Sequence, residues 1–372
     1  MKVLHVFKTY VPQTAGGIEQ VIYQLAEGCH DHGIRSEVLF LSREGAARNI
    51  ELSKHCYHQS KLDLYLHSTG LSLGAFRDFR ELSENADLIH YHFPWPFMDV
   101  LHLAYATGKP SLVTYHSDII KQKLLYRLYR PLMKRFLDRV DLIVASSPNY
   151  LQSSRVLQHY ASKVRVIPFG LDQCSYPAPS PQRLAYWRER TPARFFLFVG
   201  ALRYYKGLEN LLHAAQDCPA PILIAGCGPM EAKLRGIAAQ RKLTNVRFLG
   251  AVSEVDKVAL LSLCEAVLLP SHLRSEAFGI SLLEGAMFGK PLLTCEIGTG
   301  TSFVNRAEET GLVVPPGDIG ALTAALRTLW EQQALAKTMG LKARLRYEEL
   351  FSHQRMTAAY AAAYRGILHD RT

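Results

Sequence analysis

Residues 271–284 read SHLRSEAFGISLLE and follow a short apolar run, Ala266 to Leu269, closed by Pro270. The run has the pattern of a buried strand, and after the motif apolar residues recur at helical spacing, so the chain leaves a strand through a loop and enters a helix. Such a helix start offers unpaired backbone N–H groups and the positive end of a dipole, which suits an anion or an electron-rich ligand. Glu276 and Glu284 lie eight residues apart. In one continuous helix they would face roughly opposite sides. If Gly279 opens the helix, Glu276 stays in the loop and Glu284 sits a turn and a half inside, so both can reach one elongated ligand. Two glutamates at this spacing are also common on a solvated helix face.

The chain has 372 residues, 48% of them hydrophobic, and a formal net charge of +10, with a pI near 9.2. It is long enough for two domains. The positive balance calls for an anionic partner: nucleic acid, anionic lipid or a phosphorylated small molecule. No localised basic, aromatic module of nucleic-acid-binding type accompanies the charge, so nucleic acid is not the expected partner. Met1 to Phe7 runs straight into a polar loop, and no stretch approaches the ~18 apolar residues of a membrane span, so a cytoplasmic protein is expected. The seven cysteines are scattered without a C-x-x-C pair and read as reduced and structural.

Val3 to Phe7 is a strand signal, followed by a loop with Gly16-Gly17 and an amphipathic helix through Ile18, Val21, Ile22, Leu25 and Ala26. Glycines at such a strand-to-helix turn let backbone approach a ligand, although the dinucleotide fingerprint is absent and a plain tight turn reads equally well. Further strands are expected at 37–41, 88–90, 111–115, 142–145 and 164–167, alternating with helices, which predicts a doubly wound parallel sheet over residues 1–170. Pro177, Pro179, Pro181 and Pro192 cluster among polar residues, marking 171–194 as the linker. A second strand–helix series fills 195–349. Gly200-Ala-Leu-Arg203-Tyr-Tyr-Lys206-Gly207 leaves its first strand, and basic side chains there suit a diphosphate. Gly226-Cys-Gly228-Pro leaves its second.

His90-Tyr-His92 and His116-Ser-Asp118 stand at strand ends. Eleven of the fifteen histidines precede residue 170, so close pairs arise by chance and no metal site is expected. Lys121 to Arg139 carries seven basic residues and one acid among Leu, Tyr, Met and Phe, which fits either a packed helix with a solvated basic face or a surface element for anionic membranes.

The strand-Pro-Ser, then Glu-Ala-Phe-Gly-x-x-x-x-Glu, resembles the E-x7-E element of family-4 retaining glycosyltransferases of GT-B fold, and other matching stretches run from Lys2 to the C-terminal helix. The resemblance implies two Rossmann-like domains facing a cleft, with a helix at about 350–372 returning to the first. It implies a nucleotide-diphosphate-sugar donor, no cofactor and no metal. Glu276 would hold sugar hydroxyls, Glu284 the ribose and His116 the transferred sugar. Lys206 matches the family's Lys-Gly position. Ala201 stands where the family usually has arginine, and Arg203 is the replacement the sequence offers. The backbone of Ala277, Phe278 and Gly279 would meet the diphosphate, Gly16 and Gly17 would lie near it, and Gly226, Gly228 and Val252 would flank the nucleotide. His90, His92 and Asp118 would shape the acceptor side. The stretches FKTYVPQTAGGIEQVI and GTGTSFVN further resemble bacterial enzymes building lipopolysaccharide O-chains from GDP-mannose or GDP-rhamnose. A lipid-diphosphate-linked saccharide acceptor and peripheral attachment to the inner face of the cytoplasmic membrane are then expected. A UDP-sugar enzyme of the same family remains the near alternative; an epimerase of the same fold would turn over donor without acceptor.

Overall fold

The computed structural model describes residues 1–14, 16–66, 69–105, 108–119 and 123–371, and the chain divides into two compact units, Met1–Gly170 with His353–Thr372, and Leu171–Ser352. Each is a sheet wrapped in helices, as the alternation of apolar runs and amphipathic segments dictates.

In the second unit the strands are only four or five residues long and nearly all aliphatic or aromatic: Phe196–Val199, Ile222–Ala225, Val246–Gly250, Ala266–Leu269, Leu292–Cys295 and Gly311–Val314. Four-residue runs such as AVLL are buried throughout, as expected of parallel strands covered on both faces, and each large aliphatic side chain so buried contributes roughly 1.5–3 kcal/mol. All pairings are parallel, and the strands lie in the order third, second, first, fourth, fifth, sixth. The order reverses between Phe196–Val199 and Ala266–Leu269. A sheet of this type binds ligands in the crevice beyond the carboxyl ends of those two strands.

The first unit repeats the logic around Lys2–Val6, which pairs in parallel with Arg35–Ser42 on one side and Leu88–Phe93 on the other. Ser111–Tyr115, Leu142–Ala145 and Val164–Val166 extend the sheet beyond Leu88–Phe93. On the other edge stand His55–Lys61 and an antiparallel strand, Ala47–Leu52. The sequence reading missed this edge pair because its residues are polar. The helix His353–His369 lies on this unit, with Tyr360 and Tyr364 fully buried. The long C-terminal helical stretch is two helices, Gln333–Leu350 and His353–His369. It breaks where Phe351 accepts from the Leu171 N–H at 3.0 Å and Ser352 bridges to Leu171.

The expected linker is not one. Its prolines include Pro181, which opens the helix Pro181–Arg190, a position where the missing N–H costs nothing. That helix anchors to Asp256 through Trp187 Nε1 at 2.7 Å and Arg183 Nη2 at 2.6 Å. The basic run Lys121–Arg139 divides as well, with Lys121 and Gln122 outside the described residues. The helix Lys123–Arg139 buries Met133, Phe136 and Leu137 in its second half, whereas Leu128 is 75% exposed and Leu125 41%. No helix among the described residues is long and apolar enough to cross a membrane.

Candidate active site

The loops leaving the two central strands of the second unit bring Lys206 and Glu276 together. Lys206 Nζ lies 2.7 Å from Glu276 Oε2, and each side chain is 12% exposed. Ser271 Oγ donates to the same carboxylate oxygen at 3.3 Å, while Thr299 Oγ1 donates to the Glu276 carbonyl at 2.8 Å. Burial pushes the Lys206 ammonium down, but the Glu276 charge outweighs it and holds the pKa above the ordinary lysine value. The site therefore contains a permanently charged, largely desolvated cation beside a carboxylate at the sheet's switch point. An arriving diphosphate can compete for that cation with full charge in a low-dielectric setting.

The neighbouring loops are locked by close backbone approach. Gly226 adopts φ +132°, and a Cβ there would stand 2.1 Å from the Gly200 carbonyl oxygen; one on Gly228 would stand 2.6 Å from that of Leu202. The Gly226 N–H donates to the Gly250 carbonyl at 2.7 Å, joining the second and third loops. Val252 follows, half-buried at the sheet edge. Arg203 is exposed and lines a groove with Gly207, Asn210, Met230 and His272.

Gly279, at φ +89°, precedes the helix Ile280–Met287, so Glu276 is in the loop and Glu284 inside the helix. Glu284 is 5% exposed, and its Oε1 receives Lys257 Nζ at 2.7 Å and the Tyr176 hydroxyl at 3.0 Å. Burial lowers the Lys257 pKa, yet Glu284 and then Glu254 raise it above the ordinary value. Burial, with Glu284 adding to it, keeps Tyr176 a phenol far above its usual range. Sequence reasoning missed Lys257 and Tyr176: one sits at an ordinary charged helix start, the other in the supposed linker. Of the motif's backbone residues, Ala277 accepts from the Gly300 N–H at 2.8 Å, and Phe278 buries its ring against Phe351.

In the first unit Gly16 and Gly17 are exposed at the loop after Lys2–Val6 and open the helix Gly17–Cys29, with Thr9 Oγ1 donating to Glu19 at 2.7 Å. His116 retains 4% exposure just past Ser111–Tyr115. His90 and His92 are fully buried within the sheet's helix-covered face, so they do not shape an acceptor mouth. Strand alternation put both on one face, and that face is the one the C-terminal helix covers. Asp118 braces its loop, its Oδ1 accepting from Tyr115 at 2.9 Å and Ser154 at 2.8 Å.

Residues 15–173 match the family described as Glycosyltransferase Family 4, and residues 185–346 match Glycosyl transferases group 1. The chain is 55% identical to D-rhamnosyltransferase WbpZ of Pseudomonas aeruginosa, across 95% of this chain and 92% of that one. It is 49% identical to O-antigen chain mannosyltransferase C of Escherichia coli over the whole of both. Among solved structures, sucrose-phosphate synthase from Thermosynechococcus elongatus superposes with a TM-score of 0.83 at 23% identity, covering 99% of each chain. The Anabaena HepE complex with UDP and glucose superposes at 0.80 and 18%, covering 98% of this chain and all of that one. With relatives this similar over nearly its full length, two Rossmann-like units of the GT-B plan, and the Glu276-x7-Glu284 element at the switch point of the second, the chain belongs to the group 1 and family 4 glycosyltransferases.

Proposed function

We propose that this glycosyltransferase moves a hexose of the mannose or rhamnose type from a GDP-linked donor to a saccharide carried on a lipid diphosphate, in lipopolysaccharide O-chain synthesis, with retention and without a metal ion. The observation that carries the reading is the buried Lys206–Glu276 pair, and the mannosyl- and rhamnosyltransferase relatives supply the sugar class. Loss of the diphosphate leaves positive charge on the anomeric carbon, as in glycoside hydrolysis, so stabilising the leaving group is the main task. As the diphosphate enters, Lys206 exchanges its carboxylate partner for phosphate oxygens, and the start of the helix Ile280–Met287 adds its dipole. Glu276, released, takes sugar hydroxyls; Glu284, already oriented by Lys257 and Tyr176, takes the ribose; His116 serves the transferred sugar. Lys206 does the charge neutralisation that other transferases assign to a divalent cation, so transfer is expected to survive EDTA.

Thermal denaturation against nucleotides tests the donor. At 100 times its dissociation constant a ligand adds about 2.7 kcal/mol, and GDP is expected to raise the midpoint more than UDP or ADP. A larger UDP shift overturns the GDP assignment, and no shift with any of the three overturns the donor site.

The lipid-borne acceptor calls for a protein that sits peripherally on the inner face of the cytoplasmic membrane. Support comes from the helix Lys123–Arg139, where Leu125 and Leu128 are exposed among the exposed Arg127 and Arg130. Each basic residue near an anionic surface contributes about 1 kcal/mol, less as salt screens it. The protein is expected to pellet with phosphatidylglycerol vesicles at low salt, leave them at high salt, and lose binding when Arg127, Arg130 and Arg135 become Glu. Wild-type protein that stays in the supernatant removes this assignment.

A further inference from the structure

We propose that His5, His92 and His116 form one hydrogen-bonded imidazole chain whose sense places the His116 proton on Nδ1, making that nitrogen a donor toward the transferred sugar. The sugar contact rests on the functional reading above; the chain itself rests on geometry within the first unit. His5 faces His90 across the strand pairing, and His92 faces Thr114. Period-two alternation sets these residues and His116 on one face, which the helix His353–His369 covers with Tyr360 and Tyr364.

His90 stands outside the chain. Its Nδ1 is bonded to the Tyr364 hydroxyl at 2.8 Å and its Nε2 to Thr114 Oγ1 at 2.7 Å. The other three rings are linked end to end, His5 Nδ1 to His92 Nε2 at 3.2 Å and His92 Nδ1 to His116 Nε2 at 3.0 Å. Ring nitrogens of His5, His90 and His92 come within 4.8 Å of one another, but the nitrogens of His90 and His92 are already committed to these bonds. At one end, His5 Nε2 is buried with no partner among the described residues. At the other, His116 Nδ1 is the nitrogen left for a ligand.

Burial holds His5 and His116 near pKa 3 and His92 well below the usual imidazole range, so each ring is neutral and carries one proton. In a neutral chain the proton positions are coupled: fixing one end fixes the other. A proton on His5 Nε2 would be a buried N–H without an acceptor, the rarer and costlier kind of orphan, whereas a bare lone pair there is better tolerated. His5 therefore donates from Nδ1 to His92, His92 donates from Nδ1 to His116 Nε2, and His116 keeps its proton on Nδ1. His5 and His92 are positioning residues in this scheme, acting through the tautomer they impose.

Long-range 1H–15N spectra of the full chain, with histidine labelled, read the tautomer directly. Wild-type His116 is expected to show a protonated Nδ1 and a bare Nε2. His92→Phe should weaken that preference, because His116 Nε2 then accepts from no donor. His92→Gln should restore it, since one amide accepts from His5 through its oxygen and donates to His116 through its nitrogen. With donor and acceptor present, His92→Phe should lower kcat by about 10-fold or more, with donor KM nearly constant, and His92→Gln should recover most of it. A wild-type His116 protonated on Nε2, or a tautomer unmoved by His92→Phe, overturns the chain. If His92→Phe fails to fold, the wild-type spectrum decides alone, and a proton on His116 Nε2 overturns the chain. If His116→Ala transfers at the wild-type rate while the tautomer results hold, the sugar contact fails and the imidazole chain stands.

Discussion

Lys206→Ala lowers turnover by about 10²–10³-fold, the loss expected when a preorganised charge aimed at a leaving group is removed. The expectation follows from burial. At 12% exposure the ammonium acts in a poorly screened setting, and no bulk water replaces it as charge grows on the diphosphate. The same substitution strips Glu276 of its cation and leaves, among the described residues, the Ser271 hydroxyl on Oε2. Breaking a buried pair typically costs about 3–5 kcal/mol, and the residual exposure of both groups puts this one at the low end. The two effects separate in the double variant Lys206→Met, Glu276→Gln, which restores the melting temperature but not the turnover. Glu276→Ala alone is expected to lose about 10²-fold. Near-wild-type turnover in Lys206→Ala would remove the central role assigned to the pair.

Gly207→Ala is expected to be among the most destabilising single-methyl changes in the chain. Gly207 sits at φ +70°, and a Cβ there would lie 1.8 Å from the Pro270 carbonyl oxygen. Left-handed backbone alone costs an alanine roughly 1–2 kcal/mol. The clash adds more, because the obstacle is backbone leaving the central strand Ala266–Leu269 and not a side chain that can turn away. A loss of about 3 kcal/mol or more is expected, together with loss of nucleotide-induced stabilisation, since the same contact seats the Lys206 loop against the Glu276 loop. Gly236, inside the helix Glu231–Gln240, is the control, because a methyl added there would meet nothing within 4 Å. Gly236→Ala should gain about 0.5–1 kcal/mol. Equal melting temperatures for the two variants would contradict the close approach.

What the sequence discloses depends on the range of the interaction. Ala266–Leu269 and Ile222–Ala225 are legible because an all-apolar run flanked by loop residues has few other folds open to it, and Glu276 with Glu284 because eight residues of one loop and helix fix their separation. Tyr176 and Lys257 were not legible as partners of Glu284, since they lie 108 and 27 residues from it and nothing local marks them. Pro181 misled for a related reason: a helix-opening proline and a linker proline look alike until Trp187 is seen on Asp256. The sequence alternation of His90 and His92 told which residues share a face but not that the face is covered. The cover is Tyr364, 274 residues away.

That separation bears on how the molecule is made. Synthesis delivers Leu171–Ser352 as one uninterrupted stretch, whereas the unit begun before it also needs the helix His353–His369, which comes after that stretch. Domains generally mature as they emerge, but here the earlier strands must hold a polar, histidine-bearing face open throughout translation of the later unit. The unit begun first is thus completed by a helix that emerges only after the whole of the other unit has been made.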